Sequence, residues 1–454
     1  MLLRIALLAT LIAALVATAP TAAAQDPATT DITITRSDGT TTPGTVHAPA
    51  GATGRPGVVL VHGSGTAPSP QYALVADAFA RAGIVALRYT KRAEDYTPAH
   101  RDFSLLADDA LSGIAALRGR PEVDPARVGL WGLSEGGWVA PLAAARSADV
   151  AFLITIGANS GAPAAQQTWA NETRFAAAGV RGSMIEVLAR NGIRQLAGAG
   201  QFAQADYDPV PVLERIPQPV LAIWGDRDRL TPPGDSLRDF QAVFDRVGKV
   251  NYTLRTLPNA QHAAFTTTDG FDKGAGLAPG YAELMGDWVN GLPGSAHAQA
   301  DRPAAQGHSV TPLPPLAWWE STGVQLALLL GTVLALGGYA VTGFARSWRL
   351  SHGLPGRILV TAAGIGILGT IALFVFVAST KATSFGPLLF GRTLPWVALQ
   401  LVSVCAVVAL GVVVARRQRL LDGVGTGGRV RWALLVCGGA GFTLWAVYWG
   451  LLLP

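Results

Sequence analysis

Four long apolar stretches close this chain, near Ser321–Phe344, Ile358–Ser379, Leu394–Ala415 and Trp432–Leu453. Each is long enough to cross a hydrocarbon layer of about 30 Å as a helix. At that depth no water satisfies the backbone, so a single apolar segment must bond to itself and become helical. Residues 316–454 are therefore expected to form an all-α transmembrane bundle. No Asp, Glu, Lys, Arg or His sits centrally in any span, which disfavours a proton relay or ion pathway. Glycines at 331, 337 and 338, at 364, 366 and 369, and at 438, 439 and 441 would let helices approach closely, within one chain or in a homo-oligomer.

Arginine placement orients the bundle. The loop after the first span carries Arg346, Arg349 and Arg357, and the loop after the third carries Arg416, Arg417, Arg419, Arg429 and Arg431. The middle loop has only Lys381 and Arg392. The arginine-rich loops are expected to face the cytoplasm, leaving everything before the first span outside the plasma (inner) membrane. The N-terminus agrees. Met1-Leu2-Leu3-Arg4, an apolar run Ile5–Val16 and Ala22-Ala23-Ala24 read as a secretory signal peptide over 1–24, cut after Ala24. An uncleaved anchor is the alternative.

The formal charge of +5 is made largely by these loops, so it reports topology and contact with anionic membrane lipids, not nucleic acid. Both cysteines, Cys405 and Cys437, lie in spans. Residues 25–292 can hold no disulfide and no thiolate metal site, and no cluster with metal-ligand spacing stands out. Pro293–Pro315, rich in Pro, Ala, Gly, Ser, His and Gln, reads as a flexible, extended linker.

Between signal and linker, strand patterns alternate with helical ones. Strands are expected at Ile32–Thr35, Gly44–His47, Val58–Val61, Ile84–Arg88, Val128–Trp131, Phe152–Ile156, Val220–Trp224 and Asn251–Leu257. Helical patterns fill Pro70–Ala82, Phe103–Arg118, Gly136–Arg146, Gly234–Val247 and Gly280–Val289. Such alternation means a mostly parallel, eight-stranded sheet covered on both faces. Reacting groups then collect at the carboxyl ends of the strands. A longer insertion, about 159–215, would lie over that edge as a helical lid.

The strand Val128–Trp131 runs into Gly132-Leu133-Ser134-Glu135-Gly136-Gly137 and then a small-residue helix. Gly-x-Ser-x-Gly at a strand-to-helix turn holds a serine in disfavoured backbone angles and lifts its hydroxyl above the sheet. A nucleophilic Ser134 needs a base, and the base an orienting acid, in the chain order Ser, Asp or Glu, His. Two aspartates compete after the strand Pro219–Gly225, and the Gly225-x-x-Asp228 spacing before Pro232 favours Asp228 over Asp226. Four of the seven histidines follow Ser134. Two lie in the linker and one between spans, leaving His262 after the strand Tyr252–Leu257. The oxyanion of the tetrahedral intermediate would be received by the N–H groups of Glu135 and Ser64, the latter in the turn His62-Gly63-Ser64-Gly65. His62 would brace that turn. The Glu135 side chain reads as a solvated acid at a helix N-terminus.

Taken together, His62-Gly63-Ser64-Gly65, Leu87-Arg88-Tyr89-x-Lys91-Arg92, Gly132-Leu133-Ser134-Glu135-Gly136-Gly137, the Gly225/Asp228/Pro232 turn and His262 resemble the α/β-hydrolase superfamily. The branch is that of serine esterases and acyl hydrolases related to dienelactone hydrolase and prolyl oligopeptidase. The resemblance covers roughly Asp31–Leu292 and implies Ser134, Asp228 and His262 as a catalytic triad, with Ser64 and Glu135 as oxyanion donors. Ala93-Glu94-Asp95 departs from the glycine-bearing loop usual there, which bears on substrate preference. Trp169, Phe175, Met184, Leu188 and Phe202 are expected to line an acyl pocket from the lid. The resulting expectation is a membrane-anchored, extracytoplasmic hydrolase of small-molecule or lipid carboxylic esters needing no cofactor. Thioesters or peptides are alternative substrates, and a non-catalytic sensor ectodomain is the rival reading.

Overall fold

In the computed structural model, residues 26–66, 70–94, 96–343, 353–380 and 382–453 are described. The signal peptide expected over 1–24, and Arg346, Arg349 and Lys381, lie outside them. The strands are β1 (Ala28–Thr35), β2 (Thr41–Ala48), β3 (Arg55–Val61), β4 (Val85–Tyr89), β5 (Val123–Leu133), β6 (Leu153–Ile156), β7 (Val220–Gly225), β8 (Tyr252–Leu257) and β9 (Gln299–Ala300). They form one sheet in the order β1-β2-β4-β3-β5-β6-β7-β8-β9. β1 and β2 pair antiparallel, as do β2 and β4. From β4 onward every pairing is parallel.

Helices α1 (Pro70–Arg81), α2 (Phe103–Arg118), α3 (Gly136–Arg146), α4 (Pro163–Ala177), α5 (Gly192–Gly198), α6 (Pro233–Arg246) and α7 (Tyr281–Asn290) complete the domain. Strand residues alternate between two apolar cores. Val59, Val61, Val128 and Leu130 pack with α2, α3 and α6 on one face. Val58, Leu60, Trp131 and Leu133 pack with α1 and α7 on the other. A sheet dry on both faces explains why these strands read as nearly continuous apolar runs.

The linker is extended but anchored, contrary to the flexible tether expected. Its Gln299–Ala300 adds the ninth strand beside β8. The Gln306 side chain then accepts from the Gly234 and Asp235 amides at 2.9 Å, satisfying orphan donors at the start of α6. Composition alone does not show such specific capping.

Four helices follow: α8 (Thr322–Thr342), α9 (Gly353–Ser379), α10 (Leu394–Ala415) and α11 (Thr426–Tyr448). All are long and apolar enough to cross a membrane. α8 packs along α11 and α9 along α10. Some of the noted glycines sit at these contacts: a Cβ on Gly366 would lie 2.9 Å from Phe442, and one on Gly438 would lie 2.7 Å from Leu336. Outward-facing Leu330, Leu368, Leu401 and Leu444 are more than half exposed, a surface suited to lipid rather than water. The fourth helix begins six residues before the expected Trp432, placing Arg429 and Arg431 within it. Arg431 reaches the Tyr339 carbonyl at 3.0 Å and its ring at 4.2 Å, which holds its charge at the bundle end.

Within the segment expected as a lid, residues 163–198 form α4, then Ser183–Ile185, a π-helical turn Glu186–Asn191, and α5. The lid rests on the bundle pole made by the start of α8, the end of α9, the start of α10 and the end of α11. Arg194 grips Glu320 with two bonds of 2.9 and 2.8 Å. The Ser183 hydroxyl donates to the Gly450 carbonyl, and the Arg181 amide to that of Gly391. Arg357, Arg416 and Arg429 sit at the opposite helix ends.

Candidate active site

β5 ends at Leu133, and Ser134 follows with φ +56°, a left-handed conformation strained for a residue with a side chain. Its amide donates to the Ile156 carbonyl of β6 at 2.9 Å, pinning the turn. Tight packing holds both flanks to glycine. A Cβ on Gly132 would sit 2.1 Å from the Gly136 carbonyl oxygen, and one on Gly136 would sit 2.5 Å from that of Val61.

After β7, Asp228 is buried and fully engaged. Its Oδ1 accepts from the Leu230 and Thr231 amides, each at 2.8 Å, and its Oδ2 lies 2.8 Å from His262 Nδ1. It is Asp228, not Asp226, that meets the histidine. An ionised carboxylate only accepts, so the proton sits on Nδ1 and Nε2 is left as the basic nitrogen. His262 stands on Gly157, where φ is +56° and a Cβ would lie 2.8 Å from Nδ1. Only glycine leaves that ring its place.

Ser134 and His262 line one cavity of about 1040 Å³ together with Gly63, Ser64 and Glu135. Among the described residues, neither the Ser64 nor the Glu135 amide is spent on a protein acceptor. Both remain available to a developing oxyanion.

The Glu135 side chain is not solvated, as the helix-start reading expected, but 1% exposed. Its carboxylate pairs with Lys91 Nζ, with Arg101 Nη1 at 2.9 Å and with the Tyr96 hydroxyl at 2.8 Å. Burying an acid costs several kcal/mol unless partners of this quality answer it. Lys91 also donates to the Gly63 carbonyl at 3.0 Å. Tyr96 accepts from the Gly65 amide at 3.2 Å, and Tyr72 accepts from that of Gly63 at 2.8 Å. The Ser64 turn is thus clamped on both sides by groups that lead back to Glu135. Burial lowers the Lys91 pKa, opposed by the Glu135 charge, and burial and that same charge raise the Tyr96 hydroxyl.

Lys91 carries a sequence signal, standing in Leu87-Arg88-Tyr89-x-Lys91-Arg92, but the pattern gives it no role. Tyr96 and Arg101 carry no such signal, because they reach Glu135 across 39 and 34 residues. The Ala93-Glu94-Asp95 departure immediately precedes Tyr96.

Of the expected acyl-pocket residues, Leu188 and Phe202 line the cavity. Trp169, Phe175 and Met184 do not. Phe175 and Met184 face the bundle, in an apolar core shared with Trp396 and Leu451, and the Phe175 ring meets Phe385 edge-on at 4.9 Å. Trp169 stacks on His308 of the linker and donates to its carbonyl at 2.9 Å. These side chains hold the lid in place.

The model of the prolyl oligopeptidase family matches residues 105–275. The mostly parallel sheet with helices on both faces has the α/β-hydrolase fold. The chain is similar to a putative dipeptidyl aminopeptidase IV from Bacteroides ovatus, at 15% identity and TM-score 0.42 over 60% of this chain and 37% of that one. This chain spans little more than a third of that protein. It is also similar to dienelactone hydrolase from Anabaena variabilis, at 20% identity and TM-score 0.37 over 60% and 100% of the two chains. A cold-adapted esterase from an Arctic intertidal metagenomic library shares 18% identity at TM-score 0.35, over 58% and 94%. No curated protein matches the chain.

Proposed function

We propose that this chain is a membrane-anchored serine hydrolase acting on carboxylic esters, with its hydrolase domain on the extracytoplasmic side. The observation that carries the reading is the buried Asp228–His262 pair, opening onto the cavity that a strained Ser134 also lines. Oγ of Ser134 attacks the ester carbonyl carbon while its proton passes to His262 Nε2. The oxyanion that forms is received by the Ser64 and Glu135 amides. As the carbonyl re-forms, the bond to the alkoxy oxygen breaks and the leaving alcohol takes the proton from His262. Water then attacks the acyl carbon, gives a proton to His262, and releases the carboxylic acid as Ser134 regains its hydrogen. No step draws on a cofactor.

The lid docking at the bundle pole opposite the arginine-rich ends, together with the signal-like N-terminus, supports the extracytoplasmic side. The family match supports serine peptidase activity as the second reading, since the same residues serve amides.

The test uses the full chain in detergent, with p-nitrophenyl esters, peptidyl p-nitroanilides and a fluorophosphonate probe. Ester hydrolysis and labelling at Ser134 are expected, with kcat lowered about 10⁴-fold or more by Ser134→Ala. Asp228→Asn should cost about 10⁴-fold. Folded protein that is neither labelled nor active on any of these substrates would sink the reading. Anilides cleaved faster than esters would replace it with the peptidase.

A further inference from the structure

The cavity over Ser134 does not end within the hydrolase domain. Its far wall is the last part of α9, where Phe374, Val375, Val377 and Ala378 line it, with Trp449 just past α11. The lid faces this wall with Leu188, Ile193 and Leu196. Lid and α9 touch at Gly192, where a Cβ would lie 3.0 Å from Phe374. The cavity is therefore graded. Arg101, Gln166 and Gln261 lie near Ser134, the α9 residues lining the far wall are all apolar, and beside them Gln195 and Thr322 add polar groups where the lid meets the start of α8. Val375 lines the cavity and is also 62% exposed, on a helix long and apolar enough to cross a membrane. At about 1040 Å³ the space slightly exceeds the range for small-molecule sites, about 300–1,000 Å³.

We propose that the substrate is an amphiphilic long-chain ester held in the bilayer, whose chain enters past the end of α9 while its ester group reaches Ser134. The inference rests on the serine-hydrolase reading and names the substrate class for that site. A chain passing from bilayer to this wall exchanges one apolar surroundings for another, whereas a route through water would expose every methylene. The polar groups at the inner end suit the ester, and the apolar helix suits its tail.

The test places the full chain in phosphatidylcholine vesicles with two alkyl fluorophosphonates. One is an ethyl compound, and the other has a long chain ending in a photoreactive diazirine. With either, Ser134 Oγ bonds to phosphorus, fluoride leaves, and the hydroxyl proton passes to His262. Light then expels dinitrogen from the diazirine, and the carbene inserts into whatever lies beside the chain end. The expected result is labelling of Ser134 by both, with the long probe crosslinked to the α9 peptide containing Phe374–Ala378. That crosslink should be several-fold weaker in Ser134→Ala, where the same probe is only dissolved in the bilayer. Labelled Ser134 with crosslinks confined to the hydrolase domain overturns the route while leaving the hydrolase reading intact, as does equal crosslinking of α9 in Ser134→Ala. Labelling by neither probe overturns both.

Discussion

Glu135 keeps its charge in full burial because Lys91, Arg101 and Tyr96 answer it together. Glu135→Gln would leave two cations facing a neutral amide. Losing one partner of a buried pair typically costs about 3–5 kcal/mol, so the variant's melting temperature should fall. A second substitution, Lys91→Met, should recover part of that loss. Because the same groups clamp the Ser64 turn, kcat should also drop, up to the 10²–10³-fold typical of losing an oxyanion donor, with KM little changed. His62 makes a prediction about acid. Burial, reinforced by Lys91 and Arg88, lowers its pKa from 6.5 to about 3, and its ring lies between Tyr72 and Tyr89. Between those values the unfolded chain binds a proton that the folded one refuses. Stability is therefore full above about pH 6.5 and falls as the pH drops toward 3, by up to about 1.4 kcal/mol per unit. His62→Phe keeps the stack and should flatten the melting temperature over that range. At this scale the sequence was partly legible. Spacing and chain order point to Ser134, Asp228 and His262; the structure pairs Asp228 with His262 and sets Ser134 on the same cavity as His262. Nothing local tells a solvated glutamate from one whose partners lie more than thirty residues away.

Strand ends place Ser134, Asp228 and His262, and their precision is a matter of what surrounds them. Gly157, just past β6, is the floor under His262. Gly157→Ala should push the ring by a few tenths of an ångström or more and strain a left-handed backbone position. Misplacement on the scale of 1 Å is worth about 10² in rate, so kcat is expected to fall about that far while the melting temperature falls modestly. Strands and helices were readable because each keeps one periodicity, and the observed bounds differ from expectation by a few residues. The fourth apolar helix starts before the sequence suggests, because Arg429 and Arg431 look like loop residues. Arg431 in fact spends its charge on Tyr339 of the neighbouring helix. β9 leaves no sequence signal because two residues carry no periodicity.

For the whole molecule, the lid belongs to two bodies. Phe175, Val187, Leu188 and Met184 are buried in the core shared with the bundle, and each such side chain is worth about 1.5–3 kcal/mol of burial. A fragment ending at Pro293 should therefore keep its sheet but loosen its lid. Limited trypsin digestion is expected to cut it at Arg174, Arg181, Arg190 or Arg194 while sparing those sites in the full chain. Equal resistance would show that the lid packs without the bundle. This dependence was hidden in the sequence, since an aromatic lid face reads the same whether it meets an acyl chain or a helix end. The anchored linker has a mechanical consequence. Stitched to β8 and to the start of α6, it is a seam and not a leash, so Ser134 sits at one fixed height above the bundle. Slack inserted at Pro312–Pro315 would lengthen the reach, whereas slack inserted at Gln299–Gln306 would first have to unpick the seam.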